Sequence, residues 1–302
     1  MRPLLTRIRA GETIVADGAW GTMLMARGLK AGMSPETFNL ARGDVLEAIA
    51  REYVEAGAEI ITTNTFGGSP LRLRQHGLED STEAINRAAV DAVRRAVGDR
   101  AYISGDIGPC GQVLKPYGDA DPSDVAASFE RQGRALAAAG VDLFCVETMT
   151  DLAEATIAVR AVRAVGGGVP IVATMTFEQT RRGFFTVMGT SIAEAARDLA
   201  TAGADVVGSN CGNGIDVMIE VAREFRANTP WALAIQSNAG LPERHGLDLV
   251  YAEDPDYTAP RAVKLADMGV SIIGGCCGTT PAHIRAIKIA LASRNSTDPR
   301  RT

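Results

Sequence analysis

Eight short runs of apolar and β-branched residues recur along the chain, each closing on small or polar residues, with room for a helix between successive runs. They cover 13–18, 59–66, 101–109, 143–149, 171–177, 205–212, 232–240 and 271–278. The intervening segments carry helical spacing: in 44–56, Val45, Ile49, Tyr53 and Ala56 fall on one apolar stripe. Segments 121–140, 151–165, 192–203, 215–227 and 280–291 behave similarly. Asp121-Pro122 and Thr280-Pro281 each read as a cap followed by proline at the first helical position. Three helices are expected to stop at Gly57, Gly140 and Gly203, natural residues for a left-handed C-terminal cap. Strand and helix alternating eight times imply a parallel sheet closed into a (β/α)8 TIM barrel. The competing architecture is a doubly wound open sheet, which is expected to carry Gly-x-Gly-x-x-Gly after its first strand. Residues 17–21, Asp-Gly-Ala-Trp-Gly, do not match it. One domain over 1–292 is expected, with a disordered polar tail over 293–302.

Composition narrows the function classes. A net charge of −5 over 302 residues leaves no basic surplus for nucleic acid. No apolar run reaches the roughly 18 residues needed to span a bilayer, so no membrane is expected. Arg2, Arg7 and Arg9 near the start are not followed by the apolar core of a secretory signal, which makes the expected location cytoplasmic. Five cysteines, an odd count in such a chain, argue for reduced thiols over a disulfide framework.

In a barrel of this kind the chemistry sits at the C-terminal ends of the strands. Read in order, those ends carry Asp17, Asn64-Thr65, Asp106, Glu147-Thr148, Thr176, Asn210-Cys211, Asn238 and Cys276-Cys277. Three thiols at one mouth, Cys211, Cys276 and Cys277, match a borderline-soft ion, and zinc with three thiolates and a fourth position open is the catalytic pattern. Cys211 and Cys276 are 65 positions apart, so only the fold can assemble the set. Two readings compete: small buried hydrophobes, or a redox pair at 276–277. Cys110 and Cys145 are read as buried structural thiols. His76, His245 and His283 fall in loops or a helix and are read as solvated surface.

The chain resembles the homocysteine S-methyltransferase family, which includes the homocysteine module of cobalamin-dependent methionine synthase and betaine–homocysteine methyltransferase. The resemblance runs from about residue 4 to 291. It rests on Asp17-Gly-Ala-Trp-Gly-Thr, Thr63-Asn-Thr-Phe-Gly, Gly105-Asp-Ile-Gly-Pro, Glu147-Thr-Met-Thr-Asp, Gly208-Ser-Asn-Cys-Gly, Ser237-Asn-Ala-Gly-Leu-Pro and Gly274-Gly-Cys-Cys-Gly-Thr-Thr-Pro. It implies one zinc ion on Cys211, Cys276 and Cys277, a homocysteine substrate and a methionine product. Glu147, with Asp17 beside it, is then expected to hold the substrate ammonium and to serve the catalytic step. Amides around Gly18 are expected to meet its carboxylate, with Asn64, Thr65 and Asn210 as further substrate contacts. The resemblance gives Asn238 as a fourth zinc ligand in the resting state.

The motif at 237–242 is similar to the methionine synthase branch, which implies a methylcorrinoid donor with cobalamin on a separate protein or module. Betaine and S-methylmethionine are the small-molecule alternatives. The betaine branch cages its cation with aromatic rings, and here Gly67 and Thr148 stand where tyrosines are expected, with Met33 near an expected tryptophan. Trp20 and Tyr117 remain as candidate rings. A zinc- or thiol-binding subunit without turnover is the reading from another class.

Overall fold

The computed structural model describes residues 1–245 and 248–297. Eight parallel strands, Ile14–Val15, Ile60–Thr62, Tyr102–Ile107, Leu143–Met149, Ile171–Met175, Val206–Asn210, Ala232–Ser237 and Ile272–Gly275, each lie inside one of the expected runs. Every strand pairs with its sequence neighbour in the ring, and the last pairs with the first through Ile14↔Ile272 and Val15↔Ile273. Between the first and second strands the sheet is thinnest. It closes there by one bridge, Ala16↔Ile60, with Asp17 N–H donating to Ile60 O at 3.0 Å and Glu59 N–H to Val15 O at 2.7 Å. The (β/α)8 barrel is therefore observed, and the open sheet is excluded.

The period-2 alternation of each strand divides its side chains between two cores. One phase, including Val15, Ile61, Ile103, Phe144, Val146, Ala173, Val207, Leu233, Ile235 and Ile273, faces outward into the large apolar layer beneath the helices. The other phase fills the barrel floor with Ile14, Ala16, Ile60, Tyr102, Leu143, Cys145, Val172, Val206, Ala234 and Ile272. Leu4 and Ile8 of the first helix, Leu4–Arg9, join this floor and plug the N-terminal end. Followed upward in phase, Cys145 leads to Glu147, Val172 to Thr174, Val206 to Asn210, Ala234 to Gln236 and Ile272 to Cys276. A dry floor thus turns polar as the strands approach their C-terminal ends.

The expected helix signals operate locally. The carboxylates of Asp121 and Asp151 accept from the amides of Ser123 and Ala153, and Ser191 forms a capping box with Glu194. Gly140 and Gly203 close their helices in the left-handed conformation. Two helices that the apolar spacing did not single out also face the barrel, Thr82–Val97 and Pro255–Asp267, the second with Pro260 inside it. Two β-hairpins are inserted in strand-to-helix loops: Glu178–Thr180 with Gly183–Phe185, and Pro242–His245 with Asp248–Tyr251. The last helix runs over Pro281–Thr297, so the stretch expected to be disordered from 293 starts inside a helix, and 298–302 lie outside the described residues. Among the described residues no helix is long and apolar enough to cross a membrane.

Candidate active site

The polar ends of the strands surround a cavity of about 410 Å³ at the C-terminal mouth of the barrel. Its wall carries Gly18, Trp20, Asn64, Phe66, Asp106, Glu147, Cys211, Gln236, Tyr251, Cys276 and Cys277, among others, and among the described residues no Lys, Arg or His.

Cys211 follows the strand Val206–Asn210, and Cys276-Cys277 follow Ile272–Gly275, so the ring brings them together. Their three Sγ atoms lie within 4.8 Å of one another, and Cys211 and Cys277 are 3.8 Å apart. A tetrahedral ion with bonds of about 2.3 Å to sulfur has edges of about 3.8 Å, which is that separation. All three are half-buried, whereas Cys110 and Cys145 are buried in the apolar cores as expected. Hydrogen bonds from the thiols of Cys276 and Cys277 push Cys211 down to about 3, and the same contacts push Cys276 well up. Crowded sulfurs without a cation between them ionise one at a time, so this donor set is matched to a positive ion. Asn238 sits beside Cys211, buried, with its Oδ1 unpartnered. The residues present therefore fit zinc in number, element and spacing.

Cys211 is also one of two non-glycine residues with positive φ among the described residues, at 61°. The other is Thr148, at 57°, where a β-branched side chain is strained. Thr148 lies in a register shift between Val146 and Met149, a bulge just beyond Glu147, which continues the inward phase of Leu143 and Cys145. Asn210 holds this bulge. Its Oδ1 accepts from Thr148 N–H and Thr174 Oγ1–H, both at 2.8 Å, while its Nδ2 faces Thr148 Oγ1 at 2.8 Å, Glu147 Oε2 at 3.3 Å and Cys276 Sγ at 3.9 Å. One buried amide thus joins the glutamate to the thiol cluster. Burial, and then the charges of Cys211 and Asp17, push the Glu147 carboxyl up to about 8.

The other residues singled out in the sequence divide by role. Gly18 and Asn64 line the cavity, though the Asn64 amide donates to Pro35 O and Asn39 Oδ1 and so pins the loop before it. Thr65 lies behind the wall, fully buried, with its hydroxyl donating to Asp106 O at 2.8 Å. Asp17 also stands behind it: its carboxylate accepts from Trp20 Nε1 at 2.9 Å, Thr62 N at 2.8 Å and Thr62 Oγ1 at 2.9 Å. Burial pushes it up to about 6, against those three bonds. Ala19 N–H is already given to Thr279 Oγ1, which removes one amide from the loop expected to meet a carboxylate.

Tyr117 is 84% exposed and takes no part in the cavity. Its place is taken by Tyr251 of the second hairpin, whose ring lies so close to Gly278 that a Cβ there would come within 2.2 Å of it. Position 67 is closed to an aromatic residue as well, because Gly67 N–H donates to Glu36 Oε1 at 2.6 Å and a Cβ would meet that carboxylate at 2.8 Å. His283 is a correction: it is buried, bonded to Thr280 and to Glu253 O, and orders the turn after the cysteine pair. Sequence reasoning passed over Tyr251 and Leu249, which no strand-end rule reaches, and over Gln236. It also left Asp106 without a role, although Asp106 shares the inward phase of Tyr102 and Ser104.

The chain is 32% identical over 308 residues to methionine synthase of Mycobacterium tuberculosis, and 32% identical over 305 residues to that of Mycobacterium leprae. Those matches take in 96% and 95% of this chain but 25% of each relative, so the chain spans about a quarter of their length. Among solved structures, its fold is similar to that of the homocysteine methyltransferase MmuM of Escherichia coli. The metallated form superposes with a TM-score of 0.79 at 21% identity, over 95% of this chain and 99% of that one. The oxidized form gives 0.78 at 21% identity, over 96% and 99%. A sequence model of the homocysteine S-methyltransferase family matches residues 14–291, and this chain belongs to that family.

Proposed function

We propose that this protein methylates the thiol of homocysteine to give methionine, with a zinc ion held by Cys211, Cys276 and Cys277. The observation that carries the reading is one cavity with three clustered thiols on its wall and Glu147 tied to them through Asn210. Held by those three thiolates, the ion would supply a Lewis acid that keeps the substrate thiol deprotonated at neutral pH yet nucleophilic. The chain's own residues do the rest by position. Glu147 receives the substrate ammonium, and that positive charge returns its raised carboxyl to the ionised form. The loop at Gly18 borders the amino acid head, and Trp20, Phe66 and Tyr251 restrict water around the sulfur. Asp17 and Asn210 act behind the wall, orienting Trp20 and Glu147. Asn238, with its unpartnered Oδ1 beside Cys211, would complete the ion's shell when substrate is absent.

For the donor we favour a methylcorrinoid carried by a separate protein or module, since the relatives at 32% identity are methionine synthases and position 67 admits no ring. The lining by Trp20, Phe66 and Tyr251 favours the second reading, an onium donor such as betaine or S-methylmethionine. Zinc-loaded protein offered homocysteine with methylcobalamin, betaine, S-methylmethionine or 5-methyltetrahydrofolate in turn separates these. Methionine formed only with methylcobalamin supports the first donor. No methionine from any of them sinks the enzymatic reading in favour of a thiol-binding subunit.

A further inference from the structure

Asp106 is 5% exposed, lines the cavity, and its Oδ1 is buried without a hydrogen-bond partner. An unpartnered buried carboxylate oxygen is costly, and a protein that keeps one at a cavity wall keeps it for something that enters the cavity. Among the described residues no cation is named against it: the charged groups that act on it are Glu147, Asp17 and Glu36, all carboxylates. Its strand lies next to that of Glu147, with Asp106 in register with Cys145, so the two acids occupy neighbouring inward positions. In the ring, the strand of Asp106 is four places from Ala232–Ser237, the strand that separates the two cysteine-bearing strands. Asp106 therefore stands on the wall opposite the thiols.

We propose that Asp106 is a second anchor for the ammonium of the amino acid substrate, shared with Glu147. The proposal rests on the homocysteine reading above and adds a residue to it. An ammonium has three N–H donors, and one carboxylate does not satisfy them. A cation between Asp106 and Glu147 removes the repulsion between the two acids and supplies the missing partner of Oδ1 in a single contact. A sulfur at the thiol cluster and an amino group at the opposite wall define a substrate that spans the barrel mouth. Selection then falls on a free primary ammonium, and an N-acylated thiol amino acid is rejected.

The test is calorimetric binding to zinc-loaded protein without any methyl donor, comparing homocysteine with 4-sulfanylbutanoate, the same molecule lacking its amino group. In Asp106→Asn, homocysteine is expected to bind about tenfold or more weakly, the loss of one charge-assisted bond. Binding of 4-sulfanylbutanoate stays unchanged. The ligand-free variant melts no lower than the wild type, because the substitution removes an unpartnered charge. A merely structural Asp106 gives the opposite pattern, a lower melting temperature and equal weakening of both thiols, and that result overturns the proposal. So does a variant that keeps the full preference for homocysteine. If the wild type itself shows no preference for homocysteine, the parent reading fails together with this one.

Discussion

Asn210 clasps Thr148 at two points, its Oδ1 accepting the Thr148 amide and its Nδ2 facing the Thr148 hydroxyl, each at 2.8 Å. The clasp holds a β-branched residue at a positive φ and so aims the neighbouring Glu147. Asn210→Ala strands the Thr148 amide and the Thr174 hydroxyl and is expected to cost about 1–3 kcal/mol of stability. Homocysteine KM should rise as Glu147 loses its aim. Adding Thr148→Gly relieves the φ strain and should recover part of the stability; a denaturant midpoint that ignores both changes refutes the clasp.

Metal analysis of the purified protein should find about one zinc per chain. Cys211→Ala, Cys276→Ala and Cys277→Ala are each expected to lose the ion and the activity together. Cys110→Ser and Cys145→Ala cost core stability but leave zinc content unchanged, since neither thiol reaches the cluster. Full activity without zinc would end the proposed mechanism.

Glu147→Gln keeps size and removes charge. Loss of a charge-assisted bond of about 1.5–3 kcal/mol predicts a ten- to hundredfold rise in homocysteine KM with zinc content unchanged. Mercaptoethanol, which has no amino group, should be nearly indifferent. Equal weakening of both thiols would reassign Glu147 to support of the thiol cluster.

Asn238→Ala removes the unpartnered Oδ1 beside Cys211. Resting zinc affinity is expected to fall about tenfold, as for other changes next to a metal. Affinity in the presence of saturating homocysteine should be nearly that of the wild type. A chelator competition run with and without homocysteine reads the difference, and equal losses in both would exclude Asn238 from the shell.

At the opposite end of the barrel, Glu59 joins Arg7 at 2.6 Å and Lys288 at 2.5 Å, linking the first helix, the residue that leads into the second strand and the last helix. Burial pushes its carboxyl up, but the bonds and charges of Lys288 and Arg7 outweigh it and hold it below the ordinary 4.5. A depressed carboxylate contributes stability above its unfolded value and loses it as the pH falls through the folded value. Glu59→Gln should therefore cost about 1–2 kcal/mol at neutral pH. The gap to the wild type should narrow as the pH falls below the ordinary carboxyl value and through the depressed folded one. A pH-independent difference in unfolding free energy would show that packing, and not charge, is what the side chain supplies.

The barrel was legible because its strands repeat one local pattern, and the thiols were legible because strand ends in such a ring must converge. Residues whose role depends on what lies across the cavity were not. Asp17 and Glu147 read alike as acids closing strands, yet Glu147 continues the inward phase of its strand and lines the cavity, while Trp20 and Thr62 claim Asp17. Tyr251 reaches the cavity from a hairpin with no periodic signal, and Tyr117, the ring the sequence offered, points to solvent. Asp106 was visible as an acid inside an apolar strand, but its missing partner is a property of three-dimensional packing alone.

The two vicinal cysteines follow the strand that is last in the chain and also the neighbour of the first. Cys211 belongs to a different strand, with Ala232–Ser237 between them. The three sulfurs can meet only when the final strand has entered its slot, so an ion gripped by all three acts as a latch on the finished ring. Withdrawing that strand and releasing the ion become one event, and the affinity for metal becomes a gauge of how firmly the circle is shut.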